Sequence, residues 1–338
     1  MKNRTKVFLL FSAIILFFIG CNNKLLLYLL SQLNGQLKII NSTVSKSDFL
    51  QKHSNTQNEK NNFKNLELIL KFAKLQGFDS DKNYQKIVEP SHPKLIVASA
   101  SEQYYVKPYL WSFPFLGDVS YKGFFNRNML YKELDFLKNG NFDIDTGQVN
   151  AYSTLGILND PIMPSMLKLG EAEFAETIFH ELVHKYFFES EKQHLNESLA
   201  QAFGEELTLK YLKFVYGFGA EKLIKYQHKI NARDSLQQFF RNYALELNKF
   251  YKSEFFLNSK NKNELKQKMF RQLYLRIYKR GIVSKQKANY LVYKIELSKN
   301  AFFSDYIVYF SNKDSLKQVL YAKYNGNFYG MIKGLKKK

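Results

Sequence analysis

The pattern His-Glu-Leu-Val-His at residues 180–184 constrains this 338-residue chain more than any other feature. On an α-helix, residues four positions apart lie on one face, so the rings of His180 and His184 point to the same side. Two imidazole nitrogens on successive turns can bind one zinc ion at about 2.0–2.1 Å. Glu181 lies at the next position, where its carboxylate can reach a water molecule beside the ion without binding the ion itself. Apolar residues flank the pattern and predict a buried helix rather than a solvated one.

A catalytic zinc site takes three protein ligands, so the third is expected from another helix. Glu197, in the stretch Asn-Glu-Ser-Leu-Ala, follows His184 by 13 residues, which leaves room for a turn and a new helix. His194 is the rival ligand, but three-histidine metalloproteases place their third ligand six residues after the second, where this chain has a serine. We therefore predict Glu197. Glu205 or Glu206, two turns further on, could orient a histidine, and an exposed charge is the alternative.

Upstream of the zinc pattern, residues 149–154 are predicted to form a strand at the edge of the cleft. An extended peptide can pair with such a strand through main-chain hydrogen bonds. Asn150, Ala151 and Tyr152 are therefore candidate substrate-binding residues. The alternative is a plain strand within a sheet.

The N-terminus has the organisation of a bacterial lipoprotein signal. Basic residues precede an apolar run of 13 residues at 7–19, which is shorter than the ~20 residues needed to cross a bilayer. The run ends at Gly20 and at Cys21, which is the only cysteine of the chain. We predict a signal peptide at 1–20, lipidation of Cys21 and a membrane-anchored protein of the cell envelope, on the periplasmic or extracytoplasmic face. An uncleaved signal anchor is the alternative.

The charge of the chain narrows its partners. Lys and Arg total 50 against 30 Asp and Glu, so the formal net charge is +20 and anionic surfaces are favoured. Part of this excess is typical of the Lys- and Asn-rich proteins of AT-rich genomes. An anionic membrane surface fits the predicted lipid anchor. No nucleic-acid recognition motif is found, so we expect a membrane and a peptide as partners and no nucleic acid.

The periodicity of the apolar residues predicts an α+β fold, with a small mixed or antiparallel sheet followed by a mostly helical C-terminal half. Residues 21–62 are expected to form a membrane-proximal helix and a polar loop with about one helical turn. One domain is expected at 63–338, with the sheet in 63–170 and helices in 171–338. Strands are expected at 94–98 and within 111–125.

These motifs together resemble a bacterial family of lipoproteins described as putative aminopeptidases. The resemblance is carried by blocks at 20–21, 113–117, 121–125, 151–156, 180–184, 196–200 and 300–301. It implies a zincin-like metallopeptidase, Zn²⁺ as cofactor and hydrolysis of peptide bonds with Glu181 as general base. The Asn-Glu-Ser-Leu-Ala stretch is also similar to the third-ligand helix of larger zinc aminopeptidases.

The resemblance also suggests a tyrosine that stabilises an oxyanion. Tyr309 fits the last block of the family and Tyr152 lies on the predicted cleft strand, although either could pack in the core of a chain with 23 tyrosines. The family usually has arginine where this chain has Lys122, and cysteines where it has Ser112 and Asp118. No motif matches a binding site for a substrate amino group, so a zinc endopeptidase is one alternative. A tethered binding protein with an inactive zinc site is an alternative from a different class.

Overall fold

The structure is a computed structural model. It describes residues 23–53, 56–79, 83–113, 117–148, 160–187, 189, 192–281, 283–308 and 313–335. Cys21 and the predicted signal peptide lie outside these residues, as do the predicted strand at 149–154, with Asn150, Ala151 and Tyr152, and Tyr309. No helix in the described part of the chain is both long enough and apolar enough to cross a membrane.

Short strands alternate with helices in the first part of the chain. In order, the elements are α1 (Asn23–Asn41), β1 (Thr43–Val44), α2 (Lys46–Lys52), α3 (Gln57–Leu75), β2 (Ile87–Val88), β3 (Ile96–Glu102), β4 (Trp111–Phe113), β5 (Gly117–Val119), β6 (Tyr121–Phe124), α4 (Arg127–Asn139) and β7 (Phe142–Gln148). All paired strands are antiparallel, in small sheets of two or three strands.

Helices make up the described remainder of the chain. They are α5 (Pro164–Leu167), α6 (Glu171–Tyr186), α7 (Gln193–Tyr216), α8 (Glu221–Tyr251), α9 (Glu254–Leu257), α10 (Lys262–Arg280), α11 (Lys285–Ser298), α12 (Ala301–Val308), α13 (Lys313–Tyr324) and α14 (Phe328–Leu335). The predicted α+β class, with a small sheet and a helical C-terminal half, is confirmed.

The three-stranded sheet has the order β6-β3-β7 and presents a row of polar side chains on one face. Ser99 of β3 pairs with Tyr121 of β6 and with Asp145 of β7. Directly paired residues of antiparallel strands project from the same face, so these three side chains form one row. The opposite face carries Ala98 and Ala100, both fully buried, and packs against α4. The polar row therefore faces away from α4, on the side where α12 packs against β3 and β7.

Two apolar clusters hold the helices. The first joins α3, α6 and α7, where the rings of Phe72, Phe179 and Tyr211 contact one another edge to face. The second joins α8, α10, α11 and α12 and includes the fully buried Phe240 and Phe303. Helices α6 and α7 thus belong to one cluster and α12 to the other.

The segment 41–62 differs from the expectation of a polar loop with one helical turn. It contains all of α2 and the first turns of α3. The Ser45 side chain accepts the N–H of Asp48 at 3.1 Å, and Thr56 forms a capping box with Glu59. Because such polar caps stabilise helix starts, a segment of low hydrophobicity becomes helical here. Phe49, 4 % exposed, anchors α2 in the core.

The departures from the family pattern at Lys122, Ser112 and Asp118 each have a local structural account. Lys122 Nζ contacts one oxygen of Glu133 at 2.8 Å, and the indole N–H of Trp111 donates to the other oxygen at 2.7 Å. A bidentate arginine is therefore not required at this position. Ser112 and Asp118 are direct partners across β4 and β5, and the serine hydroxyl donates to the carboxylate at 2.5 Å.

Candidate metal centre and active site

Helix α6 presents the two histidines on its less buried face. Phe174, Ile178 and Leu182 lie at helical spacing and are fully buried, which fixes the rotation of the helix against the core. The side chains of His180 and His184 are 28 % and 8 % exposed. The predicted helix and its orientation are therefore present in the structure.

The turn from α6 to α7 is held by Asn196. Its side-chain Oδ1 accepts the N–H of Glu189 at 2.9 Å, and its Nδ2 donates to the carbonyl of the same residue at 2.7 Å. Asn196 is only 3 % exposed, whereas Glu189 is exposed, so the buried side chain ties an exposed turn to the interior. This contact fixes the first turn of α7, and Glu197 is the next residue along the helix.

Gly204 allows α7 to cross close to α6 beside the first histidine. A Cβ atom at Gly204 would lie 3.3 Å from the backbone nitrogen of His180 and 3.4 Å from the carbonyl oxygen of Glu176. Glu197 lies seven residues before Gly204, about two helical turns away and on nearly the same face. The face of α7 that carries Glu197 is thereby held against the face of α6 that carries the histidines.

The three predicted ligands converge in the structure. Nε2 of His180 and Nε2 of His184 are 3.1 Å apart, and Oε2 of Glu197 lies 3.5 Å from the former and 3.6 Å from the latter. An ion held tetrahedrally at about 2.05 Å from each ligand atom separates those atoms by about 3.3 Å. The donor set and its spacing therefore fit a zinc ion. His194, the rival ligand, is outside this group of three.

The same three side chains interact strongly as charges. Burial alone would raise the pKa of Glu197, but the hydrogen bonds and charges of His180 and His184 bring that pKa well below its usual range. Burial alone would lower the pKa of His180, yet Glu197 and Glu181 raise it above its ordinary value. The site thus concentrates negative charge where a cation can bind.

Glu181 lies on the inner side of the site. Burial raises its pKa, the two histidines lower it, and the charges of Glu197 and Asp160 raise it further. Tyr84 is buried and has a backbone φ of 60°. Burial raises the pKa of its hydroxyl, and the charges of Glu181 and Asp160 raise it further. The backbone N–H of Tyr84 donates to the carbonyl of Asp160 at 2.7 Å. No spacing of residues in the sequence predicts this pairing.

A buried ionic network braces the helices of the site. Arg233 of α8 donates to Glu176 and to Glu205 at 2.7 Å each, and Lys317 donates to Glu205 at 2.8 Å. Glu205 is fully buried, so its charge depends on these partners. Glu206 accepts the hydroxyl of Tyr321. An orienting role of Glu205 or Glu206 toward a histidine stays a prediction.

Two side chains beside the centre were not singled out as site residues by the sequence. Tyr121 is 39 % exposed, yet burial raises its pKa to about 12, and the charges of Glu197, Glu181 and Asp305 contribute. Asp305 is also exposed, and burial followed by the charges of Asp145 and Glu197 raises its pKa to about 6. Both side chains therefore reach solvent and also respond to the carboxylates of the proposed centre.

Only the tertiary structure brings these two side chains to the centre. Tyr121 belongs to one of the blocks that carry the family resemblance, but its position depends on the pairing of β6 with β3. Asp305 lies more than one hundred residues after Glu197, and no motif spacing connects them.

The fold and the site together define a predominantly helical α+β protein with a candidate metal centre of two histidines and a glutamate. A family model described as "Putative aminopeptidase" matches residues 27–338. The chain belongs to this family, as the resemblance predicted. No curated protein and no solved structure matches the chain.

Proposed function

We propose that the chain is a zinc-dependent aminopeptidase with a zincin-like site. The observation that carries the proposal is the convergence of His180, His184 and Glu197 at ligand spacing, with Glu181 beside them. Membership of the aminopeptidase family supports the same reaction class. The proposed substrate is a peptide with a free amino terminus.

Each residue of the site then has a chemical role. A bound zinc ion would polarise the scissile carbonyl and acidify a water molecule. Glu181 accepts a proton from that water and passes it to the leaving amine. The Tyr121 hydroxyl, whose pKa burial and nearby carboxylates raise to about 12, stays protonated at neutral pH and can donate to the developing oxyanion. Tyr152 and Tyr309 stay as predicted alternatives for this donor, and Asn150 and Ala151 as predicted contacts of the substrate backbone.

The experiment compares the wild-type protein with the Glu181→Gln variant. Zinc content is measured after purification, and hydrolysis of a peptide library is followed by mass spectrometry. We expect about one zinc ion per chain in both proteins and loss of turnover in the variant, since a general base contributes about 10²–10⁴-fold.

Other results would reject parts of this proposal. Retained hydrolysis in Glu181→Gln rejects Glu181 as the base. Cleavage of internal bonds in N-acetylated peptides would indicate the endopeptidase alternative. A folded protein that binds no zinc would favour the tethered binding protein.

We also propose that the protein is anchored in the cell envelope by a lipid on Cys21. The support is the sequence pattern of a short apolar run that ends at the single cysteine. Metabolic labelling with a radioactive fatty acid should mark the wild-type protein and not the Cys21→Ser variant. Equal labelling of both proteins would reject lipidation at this residue.

A further inference from the structure

An aminopeptidase must recognise a positive charge close to the bond that it cleaves. The α-ammonium of the first residue is separated from the scissile carbonyl by a single Cα atom. Inside a cleft such an ammonium needs an anionic partner, because an unpaired charge is costly to desolvate. The partner must therefore lie next to the metal ligands, and the sequence offered no motif for it.

The polar row of the sheet and helix α12 place a carboxylate at this position. The row runs from Tyr121 through Ser99 to Asp145 and, with strands about 4.8 Å apart, spans about 10 Å. The backbone N–H of Ser120, the residue before Tyr121, donates to Oε1 of Gln193 at 3.2 Å, so this end of the row lies against the start of α7, the helix that carries Glu197. Burial raises the pKa of Tyr121, and the charge of Asp305 on α12 contributes to this effect. Burial also raises the pKa of Asp305, and the charges of Asp145 and Glu197 raise it further. Helix α12 packs on β3 and β7, so Asp305 lies on the helix that covers this face of the sheet, and the charges that act on its pKa are those of Asp145 and Glu197.

The neighbouring acids already have basic partners. Asp145 accepts Lys294 Nζ and the Ser298 hydroxyl at 2.6 Å each. Asp143, two residues earlier on β7, forms an ion pair with Lys266. Among the residues that the structure describes, no basic side chain pairs with Asp305, and its side chain is exposed to solvent. Asp305 is thus the carboxylate of this group that is open to an incoming ammonium.

Helix α12 holds Asp305 rigidly against the sheet. The backbone N–H of Asn300, just before the helix, donates to Asp143 Oδ2 at 2.9 Å. Its side chain donates to the carbonyl oxygens of Glu102 and Gln103 at 3.0 Å each. Phe303 is fully buried on the other side of the helix. A binding group on an element fixed in this way loses little freedom when it receives a ligand.

We propose that Asp305 binds the α-ammonium of the N-terminal residue of the peptide substrate. This inference rests on the proposed aminopeptidase function and names the group that selects a free amino terminus. The contact is a charge-assisted hydrogen bond between the ammonium and one carboxylate oxygen.

The test measures binding separately from catalysis. In the zinc-loaded Glu181→Gln protein, calorimetry compares a tripeptide that has a free amino terminus with its N-acetylated form. We expect the free peptide to bind about 10- to 100-fold more tightly, the range for a charge-assisted hydrogen bond, and Asp305→Asn to remove this preference. Asp135→Asn is the matched control, because Asp135 is exposed on α4, across the sheet from the polar row, and should leave the preference intact.

A second experiment measures the kinetics of peptide hydrolysis by Asp305→Asn in a protein that retains Glu181. We expect kcat/KM for the free peptide to fall by a similar factor, while zinc content stays at the wild-type value. An unchanged preference in Asp305→Asn, or no preference before the substitution, overturns the inference about Asp305. Absence of hydrolysis by the zinc-loaded wild-type protein instead rejects the proposed function, and the calorimetric comparison still decides whether Asp305 binds the ammonium.

Discussion

Replacing Gly204 by alanine should separate α7 from α6 and weaken the metal centre. The added Cβ would lie 3.3 Å from the backbone nitrogen of His180, which is tighter than most Cβ contacts, and 3.4 Å from the carbonyl oxygen of Glu176, at the near limit of ordinary van der Waals contact. Because those atoms belong to the backbone of a buried helix, they cannot rotate away. The helices must therefore separate by a few tenths of an ångström.

Two opposing contributions set the change in the free energy of unfolding. Alanine gains about 1 kcal/mol over glycine within a helix. Overpacking a buried contact costs about 1–3 kcal/mol. We therefore expect Gly204→Ala to destabilise the fold by about 0–2 kcal/mol. Zinc affinity should fall by about 10-fold or more, since Glu197 lies two turns away on nearly the same face and moves with α7.

Gly334→Ala provides the matched control. Gly334 is an exposed residue of α14, and a Cβ there would meet only the ring of Tyr324 at 3.8 and 3.9 Å. This variant should gain about 0.5–1 kcal/mol from helix propensity alone and bind zinc as the wild type does. Urea denaturation of the zinc-free proteins and zinc titration against a chelating dye measure both quantities. If Gly204→Ala matches Gly334→Ala in stability and zinc affinity, the close approach at Gly204 does not set the ligand geometry.

Two further substitutions test neighbouring parts of the site. Asn196→Ala leaves the backbone groups of Glu189 without their side-chain partner and should cost about 1–3 kcal/mol of unfolding free energy in urea denaturation; an unchanged midpoint would contradict the proposed hold on the turn. Burial, and then the charges of Asp145 and Glu197, raise the pKa of Asp305 from 3.8 to about 6. The folded state therefore favours the protonated carboxyl, and the stability that this group contributes is lost as the pH rises from about 4 to about 6. The melting temperature of zinc-free Asp305→Asn should therefore rise relative to that of the wild type between pH 4 and about pH 7. Tyr121 and Tyr306 stay protonated over this range, because burial raises the pKa of both hydroxyls. A difference in melting temperature that does not change with pH would contradict this prediction.

The convergence of the three proposed ligands could be predicted because it depends on short-range geometry. The helical period alone places His180 and His184 on one face. The 13 residues that follow are just enough for a turn and the start of a second antiparallel helix, so Glu197 has few other places to lie. The spacing could not predict how the turn between α6 and α7 is held. Asn196 lies in a polar stretch, and nothing in the sequence distinguishes it from an ordinary loop residue.

The second half of the site depends on contacts between distant parts of the chain. The register of β6 against β3 places the Tyr121 side chain on the face of the sheet opposite α4. A slip of one residue would turn that side chain to the α4 face. Asp305 reaches the site through the docking of α12 on β3 and β7, in which Asn300 donates hydrogen bonds to carbonyls at the end of β3. Neither contact leaves a periodic pattern in the sequence. The missed helix α2 has a related cause, because its stability comes from caps and one buried phenylalanine rather than from an apolar stripe.

This division suggests that the two halves of the site can change independently. The proposed ligands lie on α6 and α7, which pack against each other and against α3 in one apolar cluster. Asp305 lies on α12, which packs on α8 and the sheet in the other cluster. A substitution at position 305 therefore changes the charge that is proposed to meet the substrate, without altering the packing that holds the proposed ligands. Under the proposed function, selection for a different amino-terminal group can act on α12 alone, whereas a change on the α6-facing side of α7 would alter the proposed metal binding and the proposed hydrolysis together.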